Sequence, residues 1–330
     1  MQKLAYEPFI RDQSLIKTIK SLFLEELCEK LSLIEVEAPM LTTSHSGLQD
    51  DLNGIEKPVR VESKALPDGV QVIHSLAKWK RQLLARADFK EGYGIVAQMK
   101  ALRPDEESLS ERHSIYVDQW DWEKVMSSEQ KSIDFLKDTV TTIYHVIKSC
   151  EKQISRELSR DELLPEHITF IHSETLRQQY PHLSPKQREY QACKEYKAIF
   201  LMGIGGTLSD GSIHDGRAPD YDDWSTESEP GHKGLNGDIL LWNPVLEDAF
   251  EVSSMGIRVC KDVMKKQLQE RGLEHRLQYP WHQQLISDEL PQTIGGGIGQ
   301  SRLMMFLLQK PHIGQVQFSI WPEQQPVSLL

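Results

Sequence analysis

Between residues 14 and 31 the apolar side chains return at Leu15, Ile16, Ile19, Leu22, Phe23, Leu27 and Leu31. That spacing of three and four predicts an amphipathic helix. The run SLIEVEAPML that follows predicts a short strand stopped at Pro39, since proline cannot donate to a sheet ladder. A loop rich in Ser, Gly and Asp comes next, TTSHSGLQDDLNG, and then the strand-like VQVIH (70–74). SLAKWKRQLLARA reads as a helix, and YGIVAQM and SIYVDQW read as a strand pair around a polar loop. From Ser127 the period changes. SSEQ offers a capping box from Ser127 to Gln130, and Ile133, Leu136, Val140, Ile143, Ile147, Cys150 and Ile154 form one stripe. Together they predict a helix of about 30 residues. In the C-terminal half ITFIH, AIFLMGIGG, GDILLWN and AFEVSSMGIRV read as strands, with a Gly/Asp-rich loop over 205–237. Strands outnumber crossover helices in several places, so many neighbours must run antiparallel. The expected fold class is α+β, with a mostly antiparallel sheet. No linker-like stretch divides the chain, which predicts a single domain over 1–330.

Composition narrows this picture without redirecting it. The 330 residues are 39% hydrophobic and 26% charged, as in ordinary soluble domains. No apolar run nears the roughly 18 residues that would span a bilayer, and no secretory leader is evident. The four cysteines are scattered without a C-x-x-C, which favours reduced thiols and a cytoplasmic location. Net charge is -11, from 38 basic and 49 acidic residues. Phosphate contacts dominate nucleic-acid binding, so this balance leans away from RNA or DNA as a partner, and nothing points to a membrane.

The stretch TIGGGIGQSRLMMFLLQ (293–309) carries a different signal. Its glycines do not form G-x-G-x-x-G, because the sixth place falls on Gln300, and the chain has no P-loop. A glycine run before an apolar helix is more often tight packing than a ligand loop. Arg302, one turn into the segment, could bind terminal phosphates. Arg103, before an acidic polar loop, could fork two donors onto an α-phosphate, which a lysine could not do. Asp238 and Glu251 lie on separate strand candidates and suit Mg²⁺, which takes one or two carboxylates with phosphate oxygens and water. These are parts for adenylating a carboxylate. Taken singly, each has a bland reading as a surface or packing residue.

Their order resembles the three signature motifs of class II aminoacyl-tRNA synthetases, in the aspartyl and asparaginyl branch. Motif one matches the helix and strand ending EVEAP (35–39). Motif two matches Arg103, Glu106, the pair Arg112–His113 and Asp118–Glu123, with one extra residue between Arg103 and Glu106. Motif three matches GGGIGQSRLMMFLL. SLAKWKRQ is similar to the branch's S-P-Q-x-Y-K-Q, and EVSSMGIR to its E-x-G-G-G-S-I-R, with Ser253 and Ser254 in glycine places. Motif one begins near residue 14, which leaves no room ahead of it for an anticodon-binding barrel. With VDQWDWE, RAPDYDDWS and GLNGDILLWNPVLEDAFE, essentially the whole chain resembles the ammonia-dependent asparagine synthetases, the aspartate–ammonia ligases.

That resemblance implies a class II synthetase-like core, a sheet of six to eight strands flanked by helices, and a homodimer through the motif-one region. It implies a ligase making asparagine from L-aspartate, ATP and ammonia through a β-aspartyl adenylate. Lys80 and Gln119 would address the aspartate, with Ser75, Asp222 and Ser254 as further contacts. Arg103 would lie between the β-carboxylate and the α-phosphate. Glu106, His113 and Arg302 would serve ATP, and Asp238 and Glu251 the metal. Asp50 would hold the α-ammonium or the incoming ammonium and take its proton, a task Asp121 could share. A glutaminase half would need an N-terminal cysteine nucleophile; residue 2 is glutamine, so free ammonia is the expected nitrogen source. Two alternatives stay open: a tRNA-charging enzyme of the same branch, and a non-catalytic paralogue that binds aspartate or ATP.

Overall fold

The computed structural model describes residues 6–50, 52, 56–66, 69–104, 109–322 and 329–330. Helix α1 (Tyr6–Leu31) leads into strands β1 (Leu33–Val36), β2 (Leu41–Thr43), β3 (Arg60–Val61) and β4 (Val70–Val72). Helix α2 (Ala77–Arg86), the hairpin β5 (Gly94–Leu102) and β6 (Tyr116–Val125), helix α3 (Ile133–Glu157) and β7 (Thr169–His172) follow. Next come α4 (Ser173–Gln179), α5 (Pro185–Tyr196), β8 (Ala198–Met202), β9 (Glu227–Glu229), β10 (His232–Lys233), β11 (Asn236–Asn243) and β12 (Asp248–Ile257). The chain ends with α6 (Lys261–Glu270), α7 (Pro280–Ile286), β13 (Thr293–Gly299) and α8 (Gln300–Leu307).

Eight strands make one sheet in the order β1-β5-β6-β13-β12-β11-β8-β7. Its end pairs β1–β5 and β7–β8 are parallel, and the five pairs between them are antiparallel. The sheet is therefore mostly antiparallel, as the strand spacing predicts. One face packs under α1, α3 and α8. Trp120 and Trp122 of β6 point into that core beside Phe23, Val140, Ile147 and Met304, and Phe23 stacks on Trp120 with ring centroids 4.4 Å apart. A strand alternates its side chains between faces, so Gln119, Asp121 and Glu123 face the other way. That other face carries the site.

Two expectations need correction. The capping box at Ser127 does not start α3. Ser132 caps it instead, its Oγ accepting the Phe135 N–H at 3.2 Å, while Gln130 Oε1 accepts the Ser127 N–H at 2.9 Å in a separate turn. The helix is accordingly 25 residues long, shorter than expected. The loop read over 205–237 also contains the hairpin β9–β10. Helices α4 to α7 escape a search for long apolar stripes because they are short. At the start of α5, Ser184 and Gln187 form a reciprocal capping box with Pro185 in the first turn, a mark that sequence reasoning did not pick out.

Candidate active site

The floor of the site is a row of residues paired across the four central strands. Asp121 of β6 lies opposite Gly297 of β13, Gly297 opposite Ser254 of β12, and Ser254 opposite Asp238 of β11. The register slips between Ile239 and Leu240, so that Leu240 pairs with Glu251. This bulge brings Glu251 and Ser254, three residues apart, onto the same side of the sheet as Asp238. An unbroken strand would put them on opposite faces. Glycines on β13 keep the floor open. A methyl group at Gly295 would collide with the Glu123 carboxylate and Arg258, and one at Gly297 would collide with the Gln119 amide. The glycine run thus makes room for neighbouring side chains as well as for a ligand.

Above this floor is a cavity of about 280 Å³. Asp50, Ser75, Arg103, His113, Gln119, Asp121, Asp222, Asp238, Glu251, Ser254 and Arg302 all line it. Arg103, just beyond β5, is fastened through its backbone N–H to the Ile115 carbonyl at 2.8 Å. Its Nε is buried and finds no hydrogen-bond partner among the described residues. Arg302 sits in the first turn of α8, which Asp118 holds by accepting the Ser301 N–H at 3.0 Å. It donates to the Glu251 carbonyl at 3.2 Å and comes within 3.7 Å of that residue's carboxylate. Burial lowers the pKa of His113 to about 4, and Arg302 and Arg112 push the same way. It is therefore neutral at pH 7, able to donate or accept beside the arginines without adding charge.

Beneath the cavity runs a buried ionic layer. Arg258 forks onto Glu123, with Nη2 to Oε2 at 2.8 Å, and also bonds Asp222. Burial opposes ionisation of Glu123, but Arg258 and Lys80 outweigh it and hold its carboxyl below the ordinary range. For Asp222 burial wins over Arg258 and Arg217, and its carboxyl is raised. Lys80 bonds Asp121 and the Trp122 carbonyl, the latter at 2.7 Å, with Glu123 at 3.6 Å. Removing one partner from such a layer would strand a buried charge.

The structure gathers most of the residues singled out from sequence, but not Lys80. That side chain is fully buried and lies behind Asp121 rather than on the cavity wall. Glu106 lies outside the described residues. Asp50 is buried, and its Oδ1 accepts the Leu52 N–H at 2.8 Å. Asp238 and Glu251 face the cavity from adjacent strands. Burial raises the Glu251 carboxyl, Asp238 adds to the effect, and Arg302 opposes it. Two carboxylates that face one cavity from adjacent strands offer oxygen donors of the kind a hard divalent cation takes, with phosphate and water to complete its shell. Sequence reasoning passed over Arg217 and Tyr221, which also line the cavity. Arg217 donates to Asp238 at 2.6 Å, and its buried Nε lies 3.7 Å from the Asp222 carboxylate, beyond hydrogen-bond distance. The signal was present in HDGRAPDYDDW, a single arginine set among carboxylates.

Among the described residues no helix is long and apolar enough to cross a membrane. Residues 10–329 match the family model for aspartate-ammonia ligase. Among solved structures, the fold is similar to that of an Entamoeba histolytica asparaginyl-tRNA synthetase, with TM-score 0.66 and 16% identity over 93% of this chain and 66% of that one. It is also similar to an asparaginyl-tRNA synthetase from Pyrococcus horikoshii complexed with asparaginyl-adenylate, with TM-score 0.66 and 16% identity over 92% and 67%. An aspartyl-tRNA synthetase from Entamoeba histolytica gives TM-score 0.60 and 15% identity over 96% and 62%. The chain spans about two thirds of the length of these synthetases, and the likeness establishes a shared catalytic-core fold.

Proposed function

The chain belongs to the aspartate-ammonia ligase family, and from that premise we propose that it converts L-aspartate, ATP and ammonia to L-asparagine, AMP and pyrophosphate. The observation that carries this reading is the buried, unpartnered Arg103 Nε on a cavity wall shared with Arg302, Asp238 and Glu251. A buried guanidinium Nε–H with no hydrogen-bond partner among the described residues is placed to meet an anion, because an unmet buried donor is costly.

In the first step an oxygen of the aspartate β-carboxylate bonds to the α-phosphorus of ATP as the bond to pyrophosphate breaks. Arg103 bridges the two reacting anions, neutralising the repulsion that keeps them apart. Arg302 takes the phosphates that leave, and neutral His113 lines the nucleotide side. Asp238 and Glu251 are the residues that would hold Mg²⁺, which when bound offsets charge along the phosphate chain. Gln119, Ser75, Ser254, Asp121 and Asp222 orient the aspartate, with Lys80 acting on it through Asp121. In the second step Asp50 takes a proton from the incoming ammonium, the freed lone pair attacks the acyl carbon, and AMP leaves with the surplus proton of the new amide. Ammonia is a nucleophile only when deprotonated, so a carboxylate on the cavity wall has a defined task.

The described residues serve this chemistry as one catalytic unit, and the reaction is cytoplasmic. A homodimer through edge strand β1 belongs to the same proposal, supported by the exposed Ile34, Met40 and Leu41. Purified protein incubated with aspartate, ATP, Mg²⁺ and ammonium chloride should yield asparagine, AMP and pyrophosphate in equal amounts. Absence of asparagine, or the appearance of ADP and phosphate, would overturn the reading.

A further inference from the structure

On the far side of Asp50 from the cavity, the buried ammonium of Lys78 joins two loops. It donates to the Gln49 carbonyl at 2.9 Å and to Asp220 Oδ2 at 2.8 Å. Gln49 immediately precedes Asp50, and Asp220 immediately precedes Tyr221 and Asp222. The Asp50 backbone is gripped from two more directions. Its N–H donates to Gln49 Oε1 at 3.2 Å, and its carbonyl accepts from His74 Nδ1 at 3.1 Å. Helix α2 itself is pinned at this level, because Trp281 Nε1 donates to the Lys78 carbonyl at 2.8 Å.

The two loops do not depend on Lys78 equally. Asp220 is also held by His282 Nε2 at 2.9 Å and by Arg276 at 3.5 Å. Burial would raise its carboxyl, but Lys78 and His282 outweigh that and keep it well below the carboxylate range. Among the described residues Lys78 is the side chain that donates to the Gln49 carbonyl. Loss of Lys78 therefore leaves the Asp220 carboxylate with His282 and Arg276 and takes the donor from the Gln49 carbonyl beside Asp50. The Gln49 side chain stays tied to the Val72 carbonyl and the His74 N–H, both at 2.9 Å. The spacing of AKWK on α2 explains why this lysine differs from Lys80: residues two apart on a helix point in different directions. One meets the carboxylates beneath the aspartate, and the other meets the back of the Asp50 loop.

We propose that Lys78 is a positioning residue for Asp50, setting where the proton acceptor of the ammonia step sits relative to the acyl carbon. This rests on the reading of Asp50 given above. A displacement near 1 Å at a reacting group costs roughly 10²-fold in rate, so the effect should fall on the second step and spare the first.

Lys78→Met in the full chain separates the two. Aspartate-dependent exchange of pyrophosphate into ATP needs no ammonia and should stay within about threefold of wild type. Asparagine formation from ammonium chloride should fall roughly 10²-fold, with a higher KM for ammonium. Hydroxylamine is already unprotonated at neutral pH and should recover most of the lost rate as the hydroxamate. The double variant Lys78→Met/Asp220→Asn removes both buried charges and carries the same test if the single variant does not fold. Parallel loss of exchange and amidation, or no loss of amidation, would overturn the proposal. Wild-type protein without aspartate-dependent exchange would instead overturn the adenylate reading, so the two failures are distinct.

Discussion

Of two cavities of similar size lined by the described residues, one has the features of a binding site and the other does not. The cavity over the central strands encloses about 280 Å³, and the one between α4 and the β9–β10 hairpin about 310 Å³. The second is rich in polar groups, yet they satisfy one another. His172 Nε2 donates to the Lys233 carbonyl at 2.9 Å, and its Nδ1 accepts the Glu174 N–H at 3.0 Å. The Glu174 carboxylate takes hydrogen bonds from Arg177 at 2.7 Å and from the Ser209 hydroxyl and N–H at 2.7 and 3.0 Å. In the first cavity Arg103 and Arg217 each keep a buried Nε with no hydrogen-bond partner among the described residues, although the Arg217 Nε has the Asp222 carboxylate at 3.7 Å. Volume and polarity do not separate the two. Unmet hydrogen-bonding capacity does, because native structures rarely leave such groups unpaired without a use.

The largest effect should come from breaking that asymmetry at Arg103. Lys keeps the charge but offers a point donor in place of a planar fork. Arg103→Lys should therefore fold normally, with an unchanged melting temperature, and lose roughly 10³-fold in kcat for asparagine formation. Near-normal turnover would remove Arg103 from the reacting centre. A smaller loss belongs to Glu251. Glu251→Gln should lower kcat roughly 10²-fold and raise the Mg²⁺ concentration needed for half-maximal rate. Because the Glu251 carboxyl is raised in the fold, ionising it opposes folding, and that penalty grows as pH rises above its unfolded value. The variant should then be at least as stable as wild type at pH 7 without ligands. An unaltered Mg²⁺ titration would take the ion away from this residue.

The contrast also marks where the sequence was legible. Period-two and period-3.6 patterning suffices for seven of the sheet's eight strands, while the glycine-rich β13 carries no such alternation and is legible only through the resemblance of GGGIGQSRLMMFLL to motif three. Arg302 was visible because a positive charge at the head of an otherwise apolar helix needs a reason. The row Asp121–Gly297–Ser254–Asp238 was not visible, since cross-strand register depends on pairing partners far apart in sequence. The bulge that turns Glu251 to the same face of the sheet as Asp238 is a one-residue slip with no compositional mark. Lys80 and Lys78 illustrate the same limit. Both stand in AKWKR, and only the docking of α2 decides that the first lies under Asp121 and the second behind Asp50.

The smallest effect should appear in the second cavity, and it tests whether that region is structural. Burial lowers the pKa of His172 to about 4, below its unfolded value near 6.5. Burial sets the sense of the shift, and the Lys233 carbonyl that accepts from Nε2 opposes it without reversing it. Folding therefore holds this ring neutral, and the stability it confers is complete above pH 6.5 and lost as pH falls toward 4. Between pH 6.5 and 5.5 the loss should be about 1 kcal/mol. His172→Gln has no titrating ring, so its stability gap to wild type, followed by urea denaturation, should narrow by about that amount across the same interval. The kcat for asparagine should not change. A constant gap would mean that His172 is protonated alike in folded and unfolded chains. A fall in kcat without a fall in stability would mean that this cavity, despite its paired groups, takes part in the reaction.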